Sequence, residues 1–144
     1  MATYIQRDIK CYDDGELDIS SGGIELATVR QSQRQLILTL LNTTRGDFLH
    51  DVMVGWGADT YMGRVNNPIT HQVMTDDLKI MFGKTDDLAN EDIFFTVSWV
   101  DHETAAIVLR HEGVFIEQDG TISTGALVLG WKYAFLTGQI EVEE

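Results

Sequence analysis

Apolar residues recur at helical spacing in two segments of the chain. The first covers residues 28–42, where Thr28 and Gln31 have the T-x-x-Q form of a capping box, which marks the start of a helix. The second begins at Asn67, a favourable N-cap, followed by Pro68 at the first helical position. The residues predicted to face inward are Val29, Gln33, Leu36, Ile37, Leu40 and Leu41 in the first helix, and Ile69, Val73, Met74, Leu78 and Met81 in the second.

Glycines mark the expected ends of both helices. Gly46 is predicted to break the first helix, and Asp47 then starts the next loop. Gly83 is placed to end the second helix in a left-handed conformation. Residues 59–63, between the two helices, are compatible with one short helical turn. Arg30 is expected on the solvent side of the first helix.

The first quarter of the chain has the pattern of short strands. Residues 5–12 are predicted to form one strand, and the Asp-Asp-Gly sequence at 13–15 predicts a turn after it. Leu17 and Ile19 alternate with acidic residues, as in a half-buried strand. Cys11 is interpreted as a small buried hydrophobic residue on a strand.

The last third of the chain is also predicted to be β. Residues 93–100, 104–116 and 121–136 form three extended runs, and the first of them alternates from Ile93 to Trp99 on one buried face. Gly113 is expected to mark a bulge in the second run. The Gln-Asp-Gly sequence at 118–120 predicts a hairpin.

The third extended run has two unlike faces. Its odd positions from Leu127 to Phe135 are bulky, which suits packing on a core, whereas most even positions are small and permit close approach of another chain. The tail at 139–144 alternates too, so it either extends a strand or hangs free. Because sheet edges invite pairing, partner contacts are expected in this region. The predicted contact residues are Ala126, Val128, Gly130, Lys132 and Ala134.

These patterns predict an α+β fold in which two main helices pack on a small antiparallel or mixed sheet. The length of 144 residues fits a single domain covering 1–144, with a β-rich part at about 93–136. The net charge of −13 disfavours binding to nucleic acid or to an anionic membrane surface. One cysteine excludes an intrachain disulfide, and the apolar runs are too short to span a bilayer, so a cytosolic site of assembly is expected.

Catalytic and metal-binding patterns are weak. Asp47, Asp51 and Asp59 lie near a glycine-rich region and are candidates for a carboxylate pair that hydrolyses a sugar linkage. The Asp-His-Glu sequence at 101–103 is better explained as a polar turn than as a metal site. The sequence has no nucleophile elbow and no phosphate-binding loop. We therefore predict no catalytic set, no metal and no cofactor.

The first helix and the segment after it carry a family resemblance. Val-Arg-Gln at 29–31 is followed by a Leu-Leu-x-Thr ending at 40–43, by Arg-Gly-Asp at 45–47, and by a loop that contains Gly55. This order resembles the phage baseplate wedge proteins that serve as tail sheath initiators, a family historically labelled lysozyme-like. The similarity covers residues 9–116, and its structural motif positions here are Gln31, Thr43, Gly46, Asp47 and Gly55.

One departure from that family concerns attachment. Many members carry Glu-Pro-Arg just after the second helix, a motif tied to contact with neighbouring wedge subunits. Residues 83–92 contain no such motif, and Pro68 is the only proline. If this chain contacts the wedge, it must therefore use other residues.

The resemblance implies a structural role in the virion. It implies a fold similar to the conserved core domain of tail sheath proteins, and a position in the tail baseplate in multiple copies, six being expected, assembled in the host cytoplasm. The implied partners are the tail sheath protein, baseplate wedge proteins and, as a further candidate, tail tube proteins. Sheath arms would be accepted by β-strand addition. The alternatives are a small muramidase-like peptidoglycan hydrolase and another tail or injection-system protein of the same fold.

Overall fold

The computed structural model describes residues 3–12, 16–43, 55–83 and 92–143, and the α+β class with two main helices is confirmed. The helical elements are α1 (Val29–Asn42), a 3-10 turn (Ala58–Tyr61) and α2 (Pro68–Phe82). The strands are β1 (Thr3–Tyr4), β2 (Ile93–Asp101), β3 (Thr104–His111), β4 (Val114–Ile116), β5 (Ile122–Ser123), β6 (Leu127–Ala134) and β7 (Ile140–Glu143).

The strands form two sheets. The main sheet is antiparallel, with the order β2-β3-β6-β7, and a smaller sheet has the order β1-β4-β5, in which β1 runs parallel to β4. The main sheet has four strands because the C-terminal tail pairs as β7. The predicted run at 104–116 is two strands, and Gly113 lies where the chain leaves the main sheet for the small one rather than at a bulge. The irregular register instead falls between Trp99 and Asp101.

The core lies on one face of the main sheet, which we call the inner face. The odd positions of β6 are all buried, as predicted, and they are paired with buried residues of β3. Two positions predicted to face inward are exposed: Trp99 at 55% and Ile69 at 77%. Trp99 lies where the register of β2 shifts, and Ile69 lies in the first turn of α2. Fully buried side chains on this face include Ile37, Met74, Leu78, Phe82, Ile107, Leu109, Trp131 and Tyr133.

The start of α1 follows the predicted capping box. The backbone N–H of Gln31 donates to the hydroxyl of Thr28 at 3.2 Å, and the N–H of Thr28 donates to the Gln31 side chain at 3.0 Å. The end is also as predicted, because α1 stops at Asn42, with Thr43 as an extended cap. Gly46, the predicted helix breaker, lies outside the described residues. The hydroxyl of Thr43 donates to the carbonyl of Thr39 at 2.7 Å and helps to close the last turn.

The second helix begins at the predicted cap and ends at Phe82 as predicted, but the conformation of Gly83 differs from the prediction. The side chain of Asn67 accepts a hydrogen bond from the N–H of Thr70 at 2.9 Å. Gly83 was expected in a left-handed conformation, but it has φ −70° and ψ −10°. Its N–H donates to the carbonyl of Lys79 at 3.0 Å, so the backbone simply continues in the right-handed region through the cap.

The N-terminal strands are not formed as predicted. Residues 5–12 make only isolated bridges, Ile9 with Leu26 and Cys11 with Leu17, and Cys11 is half-buried. Leu17 and Ile19 are exposed rather than half-buried. This segment is held on α1 by polar contacts, because the N–H groups of Asp8 and Cys11 donate to the side chains of Ser32 and Gln35 at 2.9 and 3.0 Å. These contacts require no burial of the apolar side chains.

Arg30 connects α1 to the segment between β5 and β6, so its expected position in solvent is wrong. Its guanidinium donates to the carbonyls of Gly125 and Ala126 at 2.6 and 2.8 Å and to the hydroxyl of Ser123 at 3.3 Å. It also lies over the ring of Phe115, 5.1 Å from the centroid. The fork of an arginine can satisfy these acceptors together, which a single ammonium cannot.

Arg30→Lys should therefore lower the free energy of unfolding by about 1–2 kcal/mol, since two carbonyls lose donors and the stacking contact is lost. Urea denaturation measures this change. Arg110→Lys is the matched control, because Arg110 is exposed and pairs only with Glu112 at 2.8 Å among the contacts described. It should change stability by less than about 0.5 kcal/mol. Equal effects of the two variants would contradict the role of Arg30.

Candidate functional site

β2 is an edge strand of the main sheet, and within the described ranges it pairs only with β3. The N–H of Glu112 donates to the carbonyl of Asp92 at 2.8 Å, in the register that continues along the two strands. In an antiparallel ladder, hydrogen-bonded residue pairs alternate with pairs that are not hydrogen-bonded. Since Asp92 and Glu112 form a bonded pair, the even-numbered residues of β2 direct their backbone groups to β3. The N–H and C=O groups of Phe95, Val97 and Trp99 therefore point to the open edge.

A groove of about 580 Å³ lies beside this edge, between β2 and the N-terminal half of α2. Its volume falls within the range of about 300–1,000 Å³ that is usual for ligand sites. One wall is formed by successive residues of β2 and the other by successive turns of α2. The lining residues are Asn66, Asn67, Pro68, His71, Gln72, Thr75, Val97, Ser98 and Trp99.

Trp99 is a large, exposed apolar side chain in the lining of the groove. Its indole packs edge-on against the ring of His102, with 5.8 Å between the centroids. The register shift between Trp99 and Asp101 places it at the end of the regular ladder. An exposed indole beside unpaired backbone groups offers both apolar contact area and hydrogen bonds to another chain.

Asn66 fixes the relation between the start of α2 and the β2–β3 turn. Its side-chain amide is buried and donates to the carbonyls of Asp101 and Thr104 at 2.7 and 2.8 Å. Its oxygen contacts Nε2 of His71. Burial lowers the pKa of His71, so the imidazole is neutral at neutral pH and donates through Nε2–H to Asn66. The groove lining then carries no formal charge.

The face of the main sheet opposite the core is called the outer face. The residues predicted to contact partners lie on this outer face or next to it. Val128, Gly130, Lys132 and Ala134 alternate with the buried positions of β6, and Val128 is exposed. Ala126 precedes the strand, and its carbonyl accepts from Arg30. β6 is an inner strand, paired with β3 throughout and with β7 over residues 130–133. At those positions β6 offers a face to a partner, whereas the edge strands of the sheet are β2 and β7.

Three of the family-motif positions have structural roles. Gln31 belongs to the capping box and Thr43 caps the end of α1. Gly55 has a positive φ of 99°, and a Cβ added there would lie 2.3 Å from the carbonyl oxygen of Thr43. The N–H of Trp56 donates to that same oxygen at 3.1 Å. Gly46 and Asp47 lie outside the described residues.

The candidate carboxylates are only partly placed. Asp47 and Asp51 fall outside the described residues, and Asp59 is exposed on the 3-10 turn. Asp59 borders a recess of about 210 Å³ in which it is the only acidic lining residue described. Burial, and secondarily the charge of Asp59, raises the pKa of Tyr133 to about 12. Within the described lining of this recess, Asp59 therefore has no second carboxylate with which to form a catalytic pair.

The predicted turn at 101–103 is confirmed, since Asp101 accepts from the N–H of Glu103 at 2.9 Å. No group of three or more potential metal ligands comes together in the part of the chain that the structure describes. Among the same residues, no helix has the length and apolarity needed to cross a membrane.

The sequence patterns did not identify the groove, because its walls are separated by more than twenty residues along the chain. The available signal was Trp99, a large aromatic residue placed beside the polar turn at 101–103. Comparisons with protein families, with curated proteins and with solved structures found no significant match to this chain. The resemblance to sheath initiators therefore rests on the motif of α1 and the segment that follows it.

Proposed function

We propose that this protein is a structural component of a contractile phage tail baseplate. It links the baseplate wedges to the tail sheath and templates the first sheath ring by accepting an extended segment along the open edge of β2. The observation that carries this proposal is the set of backbone groups at Phe95, Val97 and Trp99 that have no partner among the described residues, next to a groove of about 580 Å³. The contractile-tail setting comes from the resemblance of residues 29–57.

Strand addition suits this edge for a physical reason. An incoming strand would satisfy the backbone groups that point away from β3, and main-chain hydrogen bonds give affinity without special side chains. β2 carries no charged side chain between Ile93 and Val100, so it has none of the charges that commonly protect edge strands from pairing. Val128 is exposed on the outer face, so this face can contact a second partner, which the role as a link requires.

Val97→Pro tests the edge directly. Proline removes the N–H that an added strand would bind, and this N–H is not used by β3. We expect co-assembly with the sheath subunit of the same particle to weaken by at least about tenfold. Size-exclusion chromatography of the coexpressed proteins, followed by titration, measures the change.

Val97→Ile is the control, because it keeps the N–H, the β-branched shape and the apolar character. It should co-assemble like the unmodified chain, and both variants should show a thermal unfolding transition. In the unmodified protein, amide exchange at Val97 and Trp99 should slow when the sheath subunit is added. Normal co-assembly of Val97→Pro, with no added protection of these amides, would reject the proposal.

A further inference from the structure

The groove lies where the side chains of an added strand would point. Paired strands share one pleat, so the residues of an incoming strand alternate between the two faces of the sheet. Val97 lines the groove from the inner side, and Trp99 does so two residues further on. Every second residue of the added strand would therefore enter the groove, and the residues between would lie on the outer face, beside Thr96.

The chemistry of the lining excludes charged side chains from those positions. The nine lining residues include no lysine, arginine, aspartate or glutamate, in a chain whose net charge is −13. The imidazole of His71 is neutral because burial lowers its pKa, and its Nε2 contacts Asn66. A charged side chain placed there would lose water and gain no counter-charge, which is unfavourable. Trp99 and Val97 instead offer apolar contact.

The surroundings of the groove carry negative charge. Asp101 and Glu103 follow Trp99 in the β2–β3 turn, and both are exposed. Asp76 is exposed on α2 and accepts from the side chain of Gln72, a lining residue, at 2.9 Å. Basic residues that flank the groove-facing positions of a bound segment would be attracted to these carboxylates.

We propose that the groove binds an extended segment in which apolar residues alternate with small polar residues, flanked by lysine or arginine. The apolar side chains enter the groove over Val97 and against Trp99, and the basic ends lie near Asp76 and Asp101. This inference rests on the proposed strand addition at β2 and adds to it a requirement on the side chains of the partner. A segment with charged residues at the groove-facing positions is rejected even if its backbone pairs equally well.

A synthetic peptide, Lys-Thr-Leu-Thr-Leu-Thr-Val-Lys, is a direct probe of this chemistry. Trp99 is the exposed tryptophan, whereas Trp56 and Trp131 are buried, so quenching of tryptophan fluorescence by acrylamide reports mainly on the groove. The peptide should reduce this quenching, since it covers the indole. A matched peptide with lysine in place of both leucines should bind at least about tenfold more weakly. A third peptide with glutamate at both ends should also bind more weakly.

Thr75→Phe tests the groove in the protein. Thr75 lines the groove from α2, and its hydroxyl donates only to the carbonyl of His71 among the bonds described, at 2.9 Å. The larger ring should fill the groove and weaken both the binding of the peptide and co-assembly with the sheath subunit. Ile80→Phe, which adds a ring at an exposed position of α2 outside the groove lining, should retain both.

These experiments distinguish the requirement on side chains in the groove from strand addition at the edge of β2. If Val97→Pro prevents co-assembly but Thr75→Phe does not, strand addition stands and the requirement on side chains is wrong. Equal binding of the leucine and lysine peptides would likewise overturn the inference. If Val97→Pro and Thr75→Phe both co-assemble normally, the site on β2 is wrong and the proposed function fails with it.

Discussion

Gly55→Ala is expected to lower the free energy of unfolding by about 3 kcal/mol or more. Two effects add at this position. The left-handed backbone is about 1–2 kcal/mol less favourable for alanine, and overpacking typically costs a further 1–3 kcal/mol or so. The new Cβ would lie 2.3 Å from the carbonyl oxygen and 2.9 Å from the carbonyl carbon of Thr43, so backbone must move. Because that oxygen also accepts from Trp56, the movement disturbs the end of α1.

Gly22→Ala provides the comparison for Gly55. Gly22 has a similar positive φ of 94°, but no atom lies within 4 Å of an added Cβ. Gly22→Ala should lower the free energy of unfolding by only about 1–2 kcal/mol, which is the cost of the left-handed backbone alone. Urea denaturation of both variants measures the difference, provided that the slope against urea is unchanged. If the two alanines cost the same, close packing between Gly55 and Thr43 is not the cause.

Acidification is also expected to lower the free energy of unfolding substantially, through the protonation of His111 in the unfolded chain. The imidazole is fully buried, and neither ring nitrogen has a hydrogen-bond partner among the described residues. Tyr4 and Phe115 pack edge-on against the ring, with centroids 4.8 and 5.8 Å away. Burial lowers its pKa to about 4, Asp92 partly opposes this shift, and Arg30 adds to it.

The sign of the pH dependence follows from this lowered pKa. In the unfolded chain, His111 has an ordinary pKa of about 6.5, so below that pH the unfolded state binds more protons. The stabilising contribution of the neutral ring is present above about pH 6.5 and is lost as the pH falls towards about 4. Between about pH 7.5 and pH 5, the loss of unfolding free energy from this group should reach at most about 2 kcal/mol.

His111→Phe isolates this contribution, because it keeps a ring in the same aromatic cluster and removes the titrating group. Urea denaturation at several pH values should show a shallower loss of stability on acidification for the variant than for the unmodified chain. The difference should be at most about 2 kcal/mol near pH 5. Parallel pH profiles for the two proteins would show that His111 does not titrate between folded and unfolded states as described.

Local sequence signals predicted the elements whose causes are local. The capping box of Thr28 and Gln31 and the Asn67-Pro68 pair both place helix starts correctly, because each acts within one turn. The alternation of β6 from Leu127 to Tyr133 identified its buried face, since burial on a strand follows a period of two. These signals were sufficient for the α+β class.

Long-range partners decided the features that were not predicted. Arg30 leaves the solvent side of α1 because acceptors at Ser123, Gly125 and Ala126 lie within its reach, more than ninety residues along the chain. Residues 5–12 have the composition of a strand, but the N–H groups of Asp8 and Cys11 bind polar side chains of α1. The groove exists because Asn66 bonds the β2–β3 turn. The periodicity of apolar residues in the sequence does not predict these long-range contacts.

The two edges of the main sheet differ in charge. β7 has glutamate at positions 141 and 143, whereas β2 has no charged residue before Asp101. Two copies that met through their β7 edges would place like charges side by side, which is unfavourable. Removing β7 would remove this charged edge and uncover the backbone of β6. Preparations that retain β7 should therefore remain soluble at higher concentration than preparations truncated before Ile140.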